Sequence, residues 1–158
     1  MKDKILYHNS RGGIYEEFQI EPADEGTCRT QAELYEYIYE QGYDIVDFSD
    51  KYLNSDFCNR EMDSLYSVFQ REDPVQILDF VIPQIGDLKK KKEEAFSNPY
   101  IGAWELGYIY RYLHFLIKVS SKDIAAKINT KTMIHEMNRR MDWNIEDTAE
   151  IIADEIFG

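Results

Sequence analysis

The stretch "NPYIGAWELGYIYRYLHFLIK", Asn98–Lys118, decides the fold class. Asn98-Pro99 is a helix start, a residue that can cap followed by a proline preset for the first turn. At about 100° per residue, Tyr100, Trp104, Tyr108, Tyr112 and Phe115 fall within about 120° of one another, which predicts an aromatic stripe facing the core. Gly102, Ala103 and Gly107 are small enough to let a second helix approach closely. Opposite the stripe, Arg111, His114 and Lys118 lie within about 60°, and are expected on a solvated face that could dock a protein. Glu105 sits among apolar neighbours and needs a partner or water. Three ionisable groups, Glu105, Arg111 and His114, argue against a membrane span here.

The pattern stays helical on both sides. Downstream, Ser120 with Asp123 forms a capping box opening Ser121–Ile128, and Thr130 caps a helix through Arg140. "NIEDTAEIIADEIF", Asn144–Phe157, is an acidic amphipathic helix. Upstream, Thr30 with Glu33 predicts a helix start, Leu34, Tyr37 and Ile38 give its apolar face, and Gly42 stops it. Asp44 caps a helix carrying Ile45, Phe48, Tyr52 and Leu53. In Phe57–Gln70, the residues Phe57, Met62, Leu65, Tyr66 and Phe69 recur at roughly helical intervals. Asp73-Pro74 opens a helix that buries Ile77, Leu78, Val81 and Ile82 and ends at Pro83.

Residues 1–29 differ. Lys4–Asn9 and Ile14–Pro22 are short extended segments joined by Gly12-Gly13, which suits a hairpin. The fold class is therefore mainly α: a helical bundle of about six or seven helices around a central aromatic-rich helix, with a short N-terminal extended or hairpin segment. The expected organisation is an N-terminal extended segment over 1–29, a helical subdomain over 30–88, a linker over 89–97, and the central helix with a C-terminal helical subdomain over 98–158. Lys89–Lys92, followed by Glu93 and Glu94, is read as a solvated stretch whose charges largely cancel at a distance.

Composition narrows the partners. The 158 residues carry a net charge of −12, so the chain as a whole repels phosphate backbones and suits basic partners. Twelve tyrosines supply side chains with an apolar body and a polar tip. Cys28 and Cys58 show no metal-ligand spacing, and reduced thiols in a cytoplasm are expected. Met1–Lys4 is charged and no apolar run follows, so no signal peptide is read and a cytoplasmic location is expected.

Catalytic patterns are few. His8, His114 and His135 share no zinc-type spacing, and neither a phosphate-binding glycine loop nor a serine elbow occurs, so no metal or cofactor is expected. Ser120–Arg140 is the one segment with a helix-turn-helix character. Counted from Lys118, the bases Lys118, Lys122, Lys127, Lys131, Arg139 and Arg140 oppose only Asp123 and Glu136, a local charge of +4 over Lys118–Arg140. Lys122, Lys127, Lys131, Arg139 and Arg140 are the candidate DNA contacts, although the turn is short and Asn129 stands where a glycine is usual.

"LYHNS", Leu6–Ser10, resembles the first strand of ADP-ribosyltransferase-like folds, where a Leu-Tyr-His-Gly-Ser/Thr stretch presents its histidine to NAD. The resemblance would make Tyr7 and His8 NAD contacts. It departs at Asn9, and the chain after Pro22 offers no alternating strands from which to build the supporting sheet. The helical body, in "SDFCNREMDSLYSVFQ" (Ser55–Gln70) and "WELGYIYRYLHFLIKVSSKDI" (Trp104–Ile124), is similar to small uncharacterised bacterial helical proteins encoded beside ADP-ribosyltransferase-like genes, in toxin–antitoxin or defence-type clusters. That resemblance implies a regulatory or neutralising role through protein contact.

The expected function is thus a non-enzymatic acidic helical protein that binds and regulates or neutralises a protein partner, as an antitoxin, immunity factor or phage-type inhibitor does. A basic nucleic-acid-binding or toxin protein would complement its charge. A helix-turn-helix DNA-binding regulator is the alternative, and an ADP-ribosyltransferase-like NAD-using enzyme the second.

Overall fold

A computed structural model describes residues 18–158, together with the backbone of two short strands, β1 (Leu6–His8) and β2 (Ile14–Glu16). These pair antiparallel with Tyr7 opposite Tyr15. The Tyr7 and His8 side chains, and with them the NAD contact expected there, lie outside the described residues.

Helix α1 spans Pro22–Glu40, opening with Pro22 at its first position and Asp24 and Glu25 in its first turn. It starts earlier than the Thr30–Glu33 pair predicts. Thr30 is mid-helix, and its hydroxyl donates to Gly26 O at 3.1 Å and across the fold to Gln70 O at 2.7 Å. Residues 22–29 are therefore helical rather than extended. The helix stops before Gly42, whose φ of 86° lies in the left-handed region where a glycine carries no steric penalty.

Helix α2 (Ile45–Leu53) is capped as predicted, Asp44 accepting from the amides of Val46 and Asp47. Phe57–Gln70 does not form one continuous helix. It breaks into a π-turn over Cys58–Met62 and a 3-10 turn over Val68–Arg71. Polar side chains take over the backbone groups a helix would have used: Gln70 Nε2 donates to the carbonyls of Glu61, Met62 and Ser64, and Ser64 Oγ to those of Glu61 and Tyr66.

Helix α3 (Pro74–Ile85) is capped by Asp73 and buries Ile77 and Val81. It runs two residues past Pro83. Lys89–Lys91 then lies against the α1–α2 corner, with Asp44 N donating to Lys89 O and Lys91 N to Gly42 O, both at 2.8 Å.

Helix α4 (Ala103–Ile117) is the centre of the bundle. Glu105 finds its partner at its own helix start, accepting from Gly102 N at 3.0 Å. Among the described residues the most extensive packing is α4 against α1. At the crossing, Gly107 lets the two backbones meet: an added Cβ would stand 2.8 Å from Gln31 O. From Leu106 to Leu113 every residue is buried, so the helix is enclosed on all sides. The aromatic stripe is only partly core. Tyr108 and Tyr112 are buried, Trp104 and Phe115 are half-buried, and Tyr100 is exposed.

Lys118 ends α4 in the left-handed conformation (φ 58°), and α5 (Ser121–Lys127), α6 (Thr130–Asn138) and α7 (Ile145–Ile152) follow. Ser120, Asn129 and Asn144 cap them. The α6 cap is Asn129, because the hydroxyl of Thr130 is drawn to Asp50 Oδ1 at 2.6 Å. Helices from both sides of residues 89–97 share one core, which includes Leu34, Tyr35, Phe48, Tyr52, Leu106, Tyr110 and Met133. Among the described residues no helix is long and apolar enough to cross a membrane.

Candidate functional site

The fold assigns Arg111 a different role from the one its helix position suggests. It is fully buried, not on a solvated face. The enclosure of α4 turns its side chain toward α1 and the π-turn. Its Nε and Nη2 donate to Gln31 Oε1, Nη2 also to Cys58 Sγ at 3.2 Å, and Nη1 to Asp63 Oδ1. Gln31 Oε1 further accepts from Tyr52 OH at 3.1 Å, and Gln31 Nε2 donates to Gly107 O at 2.9 Å. Asp63 accepts from Ser121 N at 2.8 Å and Ser121 Oγ at 2.6 Å, which ties the start of α5 into the same network. Burial works against charge on Asp63, but the Arg111 guanidinium and the Ser121 hydrogen bonds outweigh it and hold the carboxyl below its usual range. This is a structural pin, satisfied from every side.

A cleft of about 550 Å³ opens above the pin, between the end of α4 and the loop after the π-turn, with Phe18, Asp63, Leu65, His114, Phe115 and Lys118 among its walls. That volume falls within the range of small-molecule sites. Several of its polar wall groups are engaged in holding the fold. Asn59 bonds Leu53 O, Ser55 O and Lys122 N; Ser64 and Asp63 are bonded as described; Ser120 caps α5. His114 Nδ1 donates to Val119 O at 2.8 Å, and burial and the nearby Arg111 charge outweigh Asp63 and lower its pKa. Gln19, Glu21, Asp24 and Lys118 complete its polar wall.

The other surface is apolar and exposed. The loop between the π-turn and the 3-10 turn carries Leu65, which is fully exposed, and Tyr66 at 72%, and Val68 at the start of the 3-10 turn is 63% exposed. Phe80 and Val75 on α3 are more than half exposed. Phe80 meets half-buried Phe69 edge to face at 4.7 Å, and Phe69 meets Phe57 at 5.0 Å. These three rings, with Asp56, Arg60, Glu61 and Gln84, line a notch of about 240 Å³. Ser67 Oγ donates to Glu61 Oε1 at 2.8 Å and Gln84 Oε1 accepts from Phe57 N at 2.7 Å, which fixes loop and helix together. Large apolar side chains are thus held out in water on a hydrogen-bonded loop.

The helical period of Phe57–Gln70 places Leu65 and Tyr66 inside. The signal for the opposite arrangement is the polar frame around them, Asp63, Ser64, Ser67 and Gln70, whose side chains compete for backbone partners. Of the expected docking trio, His114 is half-buried in the cleft wall and only Lys118 is exposed. The basic segment is also reduced. Lys122, Lys127 and Lys131 are exposed, but Arg139 pairs with Glu136 at 3.0 Å. Arg140 is buried between Glu136 (2.9 Å), Glu155 (3.6 Å) and the face of Trp143. Cys28 and Cys58 are buried free thiols whose pKa values burial raises, which keeps them protonated and unreactive.

No family model, curated protein or solved structure matches the chain.

Proposed function

We propose that the chain is a non-enzymatic protein-binding module, and that it regulates or neutralises its partner by docking through Leu65, Tyr66 and Val68 together with Val75 and Phe80 of α3. The observation that carries this is the segment itself: three of the four positions Leu65–Val68 are large or branched apolar side chains that stand out in water, on a backbone held by the side chains of Ser64 and Gln70. A loop ordered in advance loses little entropy on binding, so its exposed side chains can act as anchors. Regulation or neutralisation follows if the face covered on the partner is its working face.

The test is affinity capture from the native host with the wild-type chain and with a Leu65→Asp, Tyr66→Asp, Val68→Asp variant. A protein held by the wild type and lost from the variant, with circular dichroism unchanged, is the expected result. A partner retained by the variant would place the docking surface elsewhere.

A further inference from the structure

We infer that the occupant of this surface is a basic segment of a partner protein, which seats one aliphatic or aromatic side chain in the Phe57–Phe69–Phe80 notch and sets lysine or arginine on either side of it. This rests on the proposed protein-binding role and adds the chemistry of the partner.

Size is the first argument. At about 240 Å³ the notch lies below the common range for metabolite sites, and its three rings offer edges and faces to a single apolar side chain. Of the polar residues that line it, Gln84 is taken up by Phe57 N and Glu61 by Ser67 Oγ, which leaves the charges of Asp56 and Arg60 at its edge.

Charge is the second. Asp56–Phe80 contains six acids, Asp56, Glu61, Asp63, Glu72, Asp73 and Asp79, against two bases, Arg60 and Arg71. Asp63 is neutralised from beneath by Arg111, and Arg71 is folded back onto Thr27 Oγ1 and the carbonyls of Ala23 and Gln70. Along this stretch that leaves Arg60 against Asp56, Glu61, Glu72, Asp73 and Asp79, and of these Asp56, Arg60 and Glu61 line the notch itself. An acidic rim around an apolar centre selects a basic rim around an apolar anchor. The same rim repels a nucleic-acid backbone, an anionic lipid surface, and a second copy of this chain, which would bring like charge against like charge.

The experiment uses the full chain, isotope-labelled, titrated into the millimolar range with three synthetic peptides of equal length: leucine between lysine pairs, leucine between glutamate pairs, and serine between lysine pairs. The lysine–leucine peptide should shift the amides of Phe57, Phe69 and Phe80, and its binding should weaken at least about tenfold between low and high salt. Both other peptides should bind at least about tenfold more weakly. Phe80→Ser, or Val68→Ser should the first variant fold poorly, should reduce binding to the level of the serine peptide. Asp56→Asn with Asp79→Asn should reduce the salt dependence and leave the apolar contribution in place.

Equal binding of the lysine and glutamate peptides, shifts confined to other surfaces, or no shift at all would overturn the inference. So would a dimer in sedimentation that Phe80→Ser dissolves, since the occupant would then be a second copy. The two proposals fail differently. A partner captured through Leu65, Tyr66 and Val68 that binds independently of salt would refute the basic segment alone, whereas capture unaffected by the loop variant would refute the docking surface itself.

Discussion

Replacing Gly107 by alanine tests the central packing of the bundle, because two well-founded expectations disagree in sign. Helix propensity alone predicts that alanine in a helix interior stabilises by about 1 kcal/mol. The tertiary structure predicts the reverse. The new Cβ would stand 2.8 Å from Gln31 O, 2.8 Å from Tyr35 Cγ and 3.0 Å from Ala32 Cα, whereas ordinary contact begins near 3.4 Å. Two of those atoms are backbone of α1, so relief requires the helix to move by roughly half an ångström rather than a side chain to rotate. Moving α1 also stretches the Gln31 Nε2 bond to Gly107 O, now 2.9 Å, and with it the Gln31 oxygen that holds Arg111.

Overpacking costs about 1–3 kcal/mol and a weakened buried hydrogen bond about 1 kcal/mol, against a propensity gain of about 1 kcal/mol. A net loss of about 1–3 kcal/mol follows. Urea denaturation monitored by helical circular dichroism should show the midpoint falling with an unchanged slope. A midpoint that rises would mean that α1 and α4 do not meet at Gly107, and the account of the core would be refuted.

Arg111→Met should cost about 3–5 kcal/mol in the same assay, since it leaves Asp63 buried without its cation; adding Asp63→Asn should restore part of that loss, and purely additive effects would show that the pair is not coupled. Stability should also fall in acid, in two stages. The lowered pKa of His114 means that the unfolded chain binds a proton first, so stability declines as pH drops below about 6.5, and His114→Gln should flatten that stage. The lowered pKa of Asp63 makes a contribution that is complete above about 3.9 and is lost as pH falls through the folded-state value; Asp63→Asn should remove that stage, and a pH profile unchanged by either variant would contradict both assignments.

Features that depend on neighbours within one turn were legible in the sequence. Asp44, Asp73 and Ser120 cap the helices they were expected to cap, because a side-chain oxygen two or three residues from an amide needs nothing else to reach it. Gly42 ends α1, and Gly107 admits a second helix, for equally local reasons: one needs a positive φ, the other the absence of a Cβ. The mainly helical class follows from those caps and the apolar spacing between them.

The tertiary structure decided which face of each helix meets another, and no periodicity encodes that. Arg111 shares a helix face with Lys118, yet Gln31, Cys58 and Asp63 from distant segments converge on it and make burial favourable. Thr30 has the look of a cap, but the carbonyl of Gln70 arrives 40 residues later in the chain to take its hydroxyl. Tyr100 belongs to the aromatic stripe and ends in solvent because α4 begins only at Ala103. Leu65 and Tyr66 carry a buried helical pattern, and are turned outward by hydrogen bonds from Ser64 and Gln70 to carbonyls that a continuous helix would have used for itself. A residue's helical phase is a property of the local chain, whereas its burial depends on which remote groups pack against it, and at these positions the remote groups prevailed.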